Sequence, residues 1–198
     1  YCPNPLDYIH YIDLPSPDNS VDFNEKIINE CNSLELGIRK QGLLSNGQQS
    51  NITLFDQDSI FLLKLKNSIL KEVTDYKKRY KDRDIEFITN WPKTFHISAW
   101  IVSMDKGGSL SPHNHPNGWL SGVYYLSVPD KINKHEGNIN FSLVHPDYPK
   151  SDVNFPNFEL ETKNSRLVLF PSSLYHSTVP FSDIGKRICI AFDFQPVY

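Results

Sequence analysis

No stretch of 18 consecutive apolar residues occurs in the 198-residue chain, and no basic segment at the N-terminus leads into an apolar run. Neither a membrane span nor a signal peptide is therefore read from it. Cysteine is scarce: Cys2, Cys31 and Cys189 are odd in number, far apart and without metal-ligand spacing. They are read as reduced thiols, and with the missing signal peptide they place the expected protein in the cytoplasm. An excess of charge of one sign is absent too, with 20 Lys+Arg against 23 Asp+Glu and a formal charge of −3. The densest basic run, Lys77–Lys81, falls at the end of a helical pattern and reads as a solvated helix end, so nucleic acid is not an expected partner, nor is a membrane surface. No repeat of domain-building period is visible, and no strand–helix alternation follows residue 90, which excludes a doubly wound parallel sheet.

What is present reads as one domain over 1–198, with a supporting N-terminal portion (1–90) and a β-rich core (91–198). A chain of this length buries roughly 70% of its unfolded surface, so a metal is not needed for folding and is free to serve chemistry. Pro3, Pro5, Pro15 and Pro17 make the first 20 residues an extended arm. Phe23, Ile27, Ile28, Cys31 and Leu34 recur at helical spacing behind Asp22 as N-cap, with Gly37 as a stop. Gly42–Phe55 reads as loop with a short strand at Asn51–Phe55. Asp58–Tyr80, carrying Leu62, Leu65, Ile69, Val73 and Tyr76 without Gly or Pro, is the strongest helical pattern. After Trp91-Pro92 come short β-rich runs: Thr94–Met104, Leu120–Val128, Asn138–Leu143, Phe158–Thr162, Arg166–Phe170 and Arg187–Phe194. Asp105, Gly107 and Gly108 read as a turn between the first of these and the densest motif of the chain.

That motif is Ser111-Pro112-His113-Asn114-His115-Pro116-Asn117-Gly118-Trp119, directly before Leu120-Ser121-Gly122-Val123-Tyr124-Tyr125-Leu126. Two histidines one residue apart at a strand end can face one side, because extended chain repeats with period two. They make half of a metal site, and imidazole suits Fe, Zn, Cu or Ni. A second cluster follows, Phe170-Pro171-Ser172-Ser173-Leu174-Tyr175-His176-Ser177-Thr178, in which His176 lies just beyond a turn. Further on, Arg187 opens a strand of two faces. Ile188, Ile190, Phe192 and Phe194 make an apolar face suited to helices, while Arg187, Cys189, Ala191 and Asp193 make a small polar one suited to a cavity. An arginine on such a face is a natural clamp for a carboxylate. His10, His96, His135 and His145 read as surface or structural residues, and Trp100 and Trp119 as core or rim packing, with the substrate mouth as the other reading of both.

In this order, the two histidines, the strand Ser121–Leu126, the Phe170–His176 turn and Arg187–Phe194 resemble the Fe(II)/2-oxoglutarate-dependent oxygenase superfamily. The resemblance is specifically to an oxygenase family often found beside tetratricopeptide repeats, closely over residues 95–195. It implies a double-stranded β-helix, a jelly-roll or cupin-like barrel that is mainly β, with the N-terminal helices packed on one outer face. It also implies a hydroxylase that uses Fe(II), 2-oxoglutarate and O2. In that superfamily a His-x-Asp/Glu pair and a distant His hold the metal. Here His113 and His176 match the two histidines, and His115 stands where the carboxylate is usual. Three arrangements account for it: His115 as a true third ligand, which is the expectation; water in that position with His115 behind it; or a contribution from a neighbour such as Asn117.

The same resemblance makes Arg187 the anchor for the far carboxylate of 2-oxoglutarate. The usual Arg-x-Ser is replaced by Arg187-Ile188-Cys189, so a hydroxyl from Thr178, Tyr124 or Tyr125 is expected to stand in, with Tyr125 favoured because it shares the parity of Ser121 and Val123. The His113–His115 loop and residues 129–157 are the expected mouth and lid. A small molecule, an amino acid or a peptide side chain is the expected substrate. The family association and the start on Tyr1 imply a longer chain with an upstream repeat domain. Two rival readings remain at this stage: a three-histidine cupin that has no use for 2-oxoglutarate, and a non-catalytic binding module on the same barrel.

Overall fold

Ten strands and three α-helices follow one another in the computed structural model, which describes residues 1–39, 41–51, 53–148 and 155–197. They are β1 (His10–Asp13), α1 (Phe23–Ser33), β2 (Ile38–Arg39), β3 (Leu44–Ser50), α2 (Ile60–Arg79), α3 (Glu86–Thr89), β4 (Phe95–His113), β5 (Leu120–Ser127), β6 (Ile139–Ser142), β7 (Asn157–Leu160), β8 (Arg166–Pro171), β9 (Tyr175–Thr178) and β10 (Arg187–Pro196). The ladders run in the order β1-β8-β5-β10-β4-β9-β6-β7, with β3 on the flank of β4 and β2 on β3, and every one is antiparallel.

β4 is what curls this sheet onto itself. Its first part, Phe95–Met104, pairs with β10, whereas Leu110 and His113 pair with β9. The turn expected at Asp105–Gly108 is a bend inside one continuous strand. Gly107 absorbs it at φ 76° and donates its N–H to the Phe181 carbonyl at 2.7 Å. The result is the double-stranded β-helix expected from the sequence, a curled antiparallel half-barrel with helices on one side.

Strand alternation sorts the core into two layers. Ile188, Ile190, Phe192 and Phe194 of β10 join Leu167 and Leu169 of β8 in packing against Phe23 and Ile27 of α1 and Leu62, Leu65, Ile69, Val73 and Tyr76 of α2. The opposite faces carry Val123, Tyr125, Val168, Phe170 and Cys189, which pack inside the barrel with Val102, Met104, Ile139 and Phe141. β8 is thus apolar on both faces, as a strand between two layers must be. Ser59 caps α2 by accepting from the Leu62 N–H. Asp22 does not cap α1 through its side chain; it pairs with Lys26 one turn on at 2.9 Å.

Gly122 marks how tightly the helix layer fits, since a Cβ there would come within 2.3 Å of Phe192 and 2.9 Å of Leu169. Gly122→Ala is accordingly expected to cost about 1–3 kcal/mol through forced displacement of a packed ring. Urea denaturation of the variant checks this, and an unshifted midpoint would show that the layer yields.

The N-terminal portion gives more than an arm. β1 pairs along β8, and Asp13 takes a bidentate pair from the Arg166 guanidinium at 2.6 and 2.9 Å. β3 lies upstream of the strand expected at Asn51–Phe55; Leu54–Asp56 form a 3-10 turn instead, and residue 52 lies outside the described residues. Of the expected lid at 129–157, residues 149–154 also lie outside them, and Ile139–Ser142 are built into the barrel as β6. Among the described residues no helix is long and apolar enough to cross a membrane.

Candidate metal and cosubstrate site

The barrel encloses one end of a cavity of about 370 Å³, lined by β4, β5, β9 and β10 and by the loop after His113. His113 closes β4 and sits directly across the ladder from His176 of β9. His115 comes in from the loop, so period-two alternation is not what brings the pair together. The loop is instead pinned to the turn after β8: the His115 N–H donates to the Ser172 carbonyl at 2.9 Å and the Ser172 N–H to the Trp119 carbonyl at 3.2 Å. Gly118 permits this approach, for a Cβ there would lie 2.5 Å from Ser172 Oγ.

The three rings converge, with centroid separations of 5.2, 4.3 and 5.1 Å, and one nitrogen from each lies within 4.8 Å of the others. The other nitrogens fix which. His113 Nδ1 meets the Ser111 carbonyl at 2.9 Å, His176 Nδ1 the Leu174 carbonyl at 3.3 Å, and His115 Nδ1 the Asp193 carboxylate at 2.7 and 2.8 Å. Carbonyls and carboxylates only accept, so each Nδ1 carries a proton, and in the neutral ring the lone pair is left on Nε2. Burial, and after it the neighbouring His115, brings His113 down to about 4. Burial, then His113 and His115, holds His176 well below the ordinary imidazole value. Neutral rings with inward lone pairs are the state in which histidine binds a metal. His115 Nε2 is moreover buried without a hydrogen-bond partner, which a metal would supply. The residues therefore fit a divalent ion held by three imidazoles.

The other end of the cavity is built around Arg187, which is 2% exposed. Its Nε donates to the Gly137 carbonyl at 3.2 Å, Nη1 reaches only the sulfurs of Cys189 and Met104 at 3.7 and 3.9 Å, and the guanidinium lies 4.9 Å from the centre of the Tyr125 ring. Among the described residues no carboxylate pairs with it. A buried cation without an anion is costly unless a ligand provides one. The Tyr125 hydroxyl, buried beside it, has no hydrogen-bond partner either, and burial raises its pKa so that it stays a donor. Cys189 lies beside Arg187, and Thr178 lines the same cavity.

Tyr124 is a correction to the expected set. Its side chain points to the helix layer, where its hydroxyl donates to Asn24 Oδ1 at 2.8 Å, and it does not line the cavity. Trp100 does line it, stacked on His115 at 5.7 Å and 18°. Trp119 belongs to the core, stacked on Phe87 and donating to its carbonyl. Asn117 lines the cavity. Among the remaining histidines, His145 reaches the Pro112 carbonyl behind the metal loop at 3.2 Å. The residue missed from the sequence is Asp193. Its parity with Arg187 put it on the cavity face, and that parity was the available signal.

The chain is similar to known proteins in part of its sequence and in its fold. Residues 98–193, just under half of the chain, match the model of a family described as "Putative 2OG-Fe(II) oxygenase". Among solved structures, a prolyl-4-hydroxylase of Pseudomonas putida shares the fold at a TM-score of 0.63 and 14% identity, over 96% of this chain and 93% of that one. HygX of Streptomyces hygroscopicus with nickel and 2-oxoglutarate bound does so at 0.63 and 15%, over 98% and 85%. A viral collagen prolyl hydroxylase of Paramecium Bursaria Chlorella virus-1 in its 2-oxoglutarate complex gives 0.60 and 14%, over 96% and 97%. No curated protein matches in sequence. Residues 98–193 are thus similar to a 2OG-Fe(II) oxygenase family, and nearly the whole chain shares its fold with solved 2-oxoglutarate-dependent oxygenases.

Proposed function

We propose that the protein is a hydroxylase in which His113, His115 and His176 hold Fe(II) and Arg187, with Tyr125 and Thr178, holds the far carboxylate of 2-oxoglutarate, all within one domain. The observation that carries the reading is the pairing, in one cavity, of three inward imidazole lone pairs with a buried guanidinium that no carboxylate among the described residues neutralises. When bound, Fe(II) and 2-oxoglutarate supply oxidative decarboxylation of the cosubstrate coupled to insertion of one oxygen atom into a substrate C–H bond. The chain's own part is placement. The outward Nδ1 contacts keep each ring from turning, and Gly137, itself tied to the Val179 carbonyl, aims Arg187 along the barrel. The apolar inner layer keeps water from the cosubstrate end.

A three-histidine cupin would have no use for Arg187, and no anion among the described residues explains its burial. The cavity lining includes Arg39, Gln41, Gln49, Asn114 and Asn117, which suits a polar substrate with hydrogen-bonding groups. Related folds have been solved with a peptide fragment and with hygromycin B, in line with a peptide side chain or a small molecule here.

Anaerobic addition of 2-oxoglutarate to the Fe(II)-loaded protein tests the reading. A weak visible charge-transfer band from the bidentate chelate is expected, and its absence with iron bound would refute the cosubstrate assignment. Tyr125→Phe should weaken 2-oxoglutarate binding roughly tenfold, the value of one hydrogen bond to a charged group. The folded state should lose nothing, because that hydroxyl has no protein partner. Calorimetric titration and a thermal melt read the two effects separately.

A further inference from the structure

The usual metal set of this enzyme class, two histidines and a carboxylate, brings one negative charge to the ion, while three neutral imidazoles bring none. The missing charge is present in this chain one residue further out. Asp193 projects from β10 into the cavity wall with both carboxylate oxygens on His115 Nδ1, at 2.7 and 2.8 Å, and its side chain is only 9% exposed. No Lys or Arg among the described residues lies within ion-pair distance of it, and its one other recorded partner is neutral: Ser121 Oγ donates at 2.6 Å and is itself bonded to Ser172 Oγ at 2.8 Å. The two serines flank the strand and turn that also pin the backbone of His115. Trp100, stacked on the ring, closes the remaining freedom of the imidazole.

Resting on the reading of the three histidines as ligands, we infer that Asp193 is a positioning residue that delivers the absent carboxylate charge to the metal through His115. The carboxylate sets His115 in the tautomer whose Nε2 faces the ion and raises the donor strength of that nitrogen, so that the pair acts as one anionic ligand. This makes the departure from the usual motif a relocation of charge by one side chain. It explains why His115 can occupy a carboxylate position without leaving the cation under-neutralised. It also explains why a serine pair, rather than a cation, holds Asp193: an arginine or lysine there would cancel the charge before it reached the ring.

The test is Co(II) binding to the chelator-stripped full chain, read by competition with a chromophoric chelator and by the visible Co(II) bands. Folding of each variant is followed by circular dichroism. Wild type should bind one equivalent, and Asp193→Asn, which keeps an acceptor for Nδ1 but removes the charge, should weaken binding about 10- to 100-fold. In the His115→Asp background, where a carboxylate reaches the ion directly, Asp193→Asn should change affinity by less than about threefold, since the relay no longer has a ring to act through. Ser121→Ala, which leaves the charge in place, should also stay within about threefold. Equal affinity of wild type and Asp193→Asn would overturn the inference. So would the same loss in both backgrounds, or a loss in Ser121→Ala as large as in Asp193→Asn, because Asp193 would then be a structural hub. Failure of wild type to bind one equivalent would instead overturn the reading of the three histidines themselves.

Discussion

His176→Ala leaves the metal site largely empty at Fe(II) concentrations that only just saturate the wild-type protein. The expectation follows from the position of the ring. His176 is the most deeply set of the three, buried against Phe170 at 4.7 Å and Phe141 at 6.2 Å, and among the described residues no fourth His, Cys, Asp or Glu joins the cluster of candidate ligands. Outer partners of metal ligands are worth about 10–100-fold in affinity, so losing a direct ligand from a set of three should exceed about 100-fold. The protein itself should remain folded, since the core of the helix layer lies on the other side of the sheet. Equilibrium dialysis against Fe(II) under anaerobic conditions, with a thermal melt beside it, is the measurement. Full iron stoichiometry in the variant would eliminate His176 as a ligand.

Arg187→Met has the opposite signature: iron is retained and 2-oxoglutarate is lost. Two charge-assisted hydrogen bonds from one guanidinium are worth about 3–6 kcal/mol, which at 1.4 kcal/mol per decade predicts a Kd raised by roughly 10²–10⁴. Stability should not fall with it. The guanidinium makes one good hydrogen bond, to Gly137, and otherwise meets sulfur and an aromatic face, so an apolar chain of similar volume removes a desolvated charge at little loss of packing. A variant that melts no lower than wild type and cannot hold the cosubstrate would show that this residue is kept for its ligand at the expense of the fold. Unchanged 2-oxoglutarate affinity would rule the clamp out.

How much of this was readable in advance varies with the kind of signal. The two long helices were, because Leu62, Leu65, Ile69, Val73 and Tyr76 can share a layer only at 3.6 residues per turn, and the burial of α2 follows those positions; α3, a single turn, was not. The two faces of β10 were, because clean alternation leaves no other arrangement. β3 was not: Ser45, Asn46, Gly47, Gln48 and Gln49 carry no apolar alternation, and the strand exists through main-chain pairing with β4. The passage of β4 through Asp105–Gly108 was hidden for a related reason, since the same glycine can end a strand or bend one, and only the partner strands decide. At the site, the residue types and their order pointed to the metal end, whereas the contact between His115 and Asp193 joins residues far apart in the chain and needs the fold to be seen. Parity favoured Tyr125 over Tyr124 on the cavity face, and the two hydroxyls do lie on opposite sides of the sheet.

The unbroken pairing of β10 along β4 makes that strand a ruler. Arg187 and Asp193 are both mounted on it, so the span between the cosubstrate anchor and the prop behind the metal is graduated in steps of about 3.3 Å per residue. Substitution can exchange what stands at each mark, whereas an insertion or deletion of a single residue between the two marks breaks the register with β4. It would turn Arg187 into the helix layer or bring Phe192 into the cavity. Length variation among relatives of this protein is therefore expected in the turns that flank the ruler and to be absent from the ruler itself.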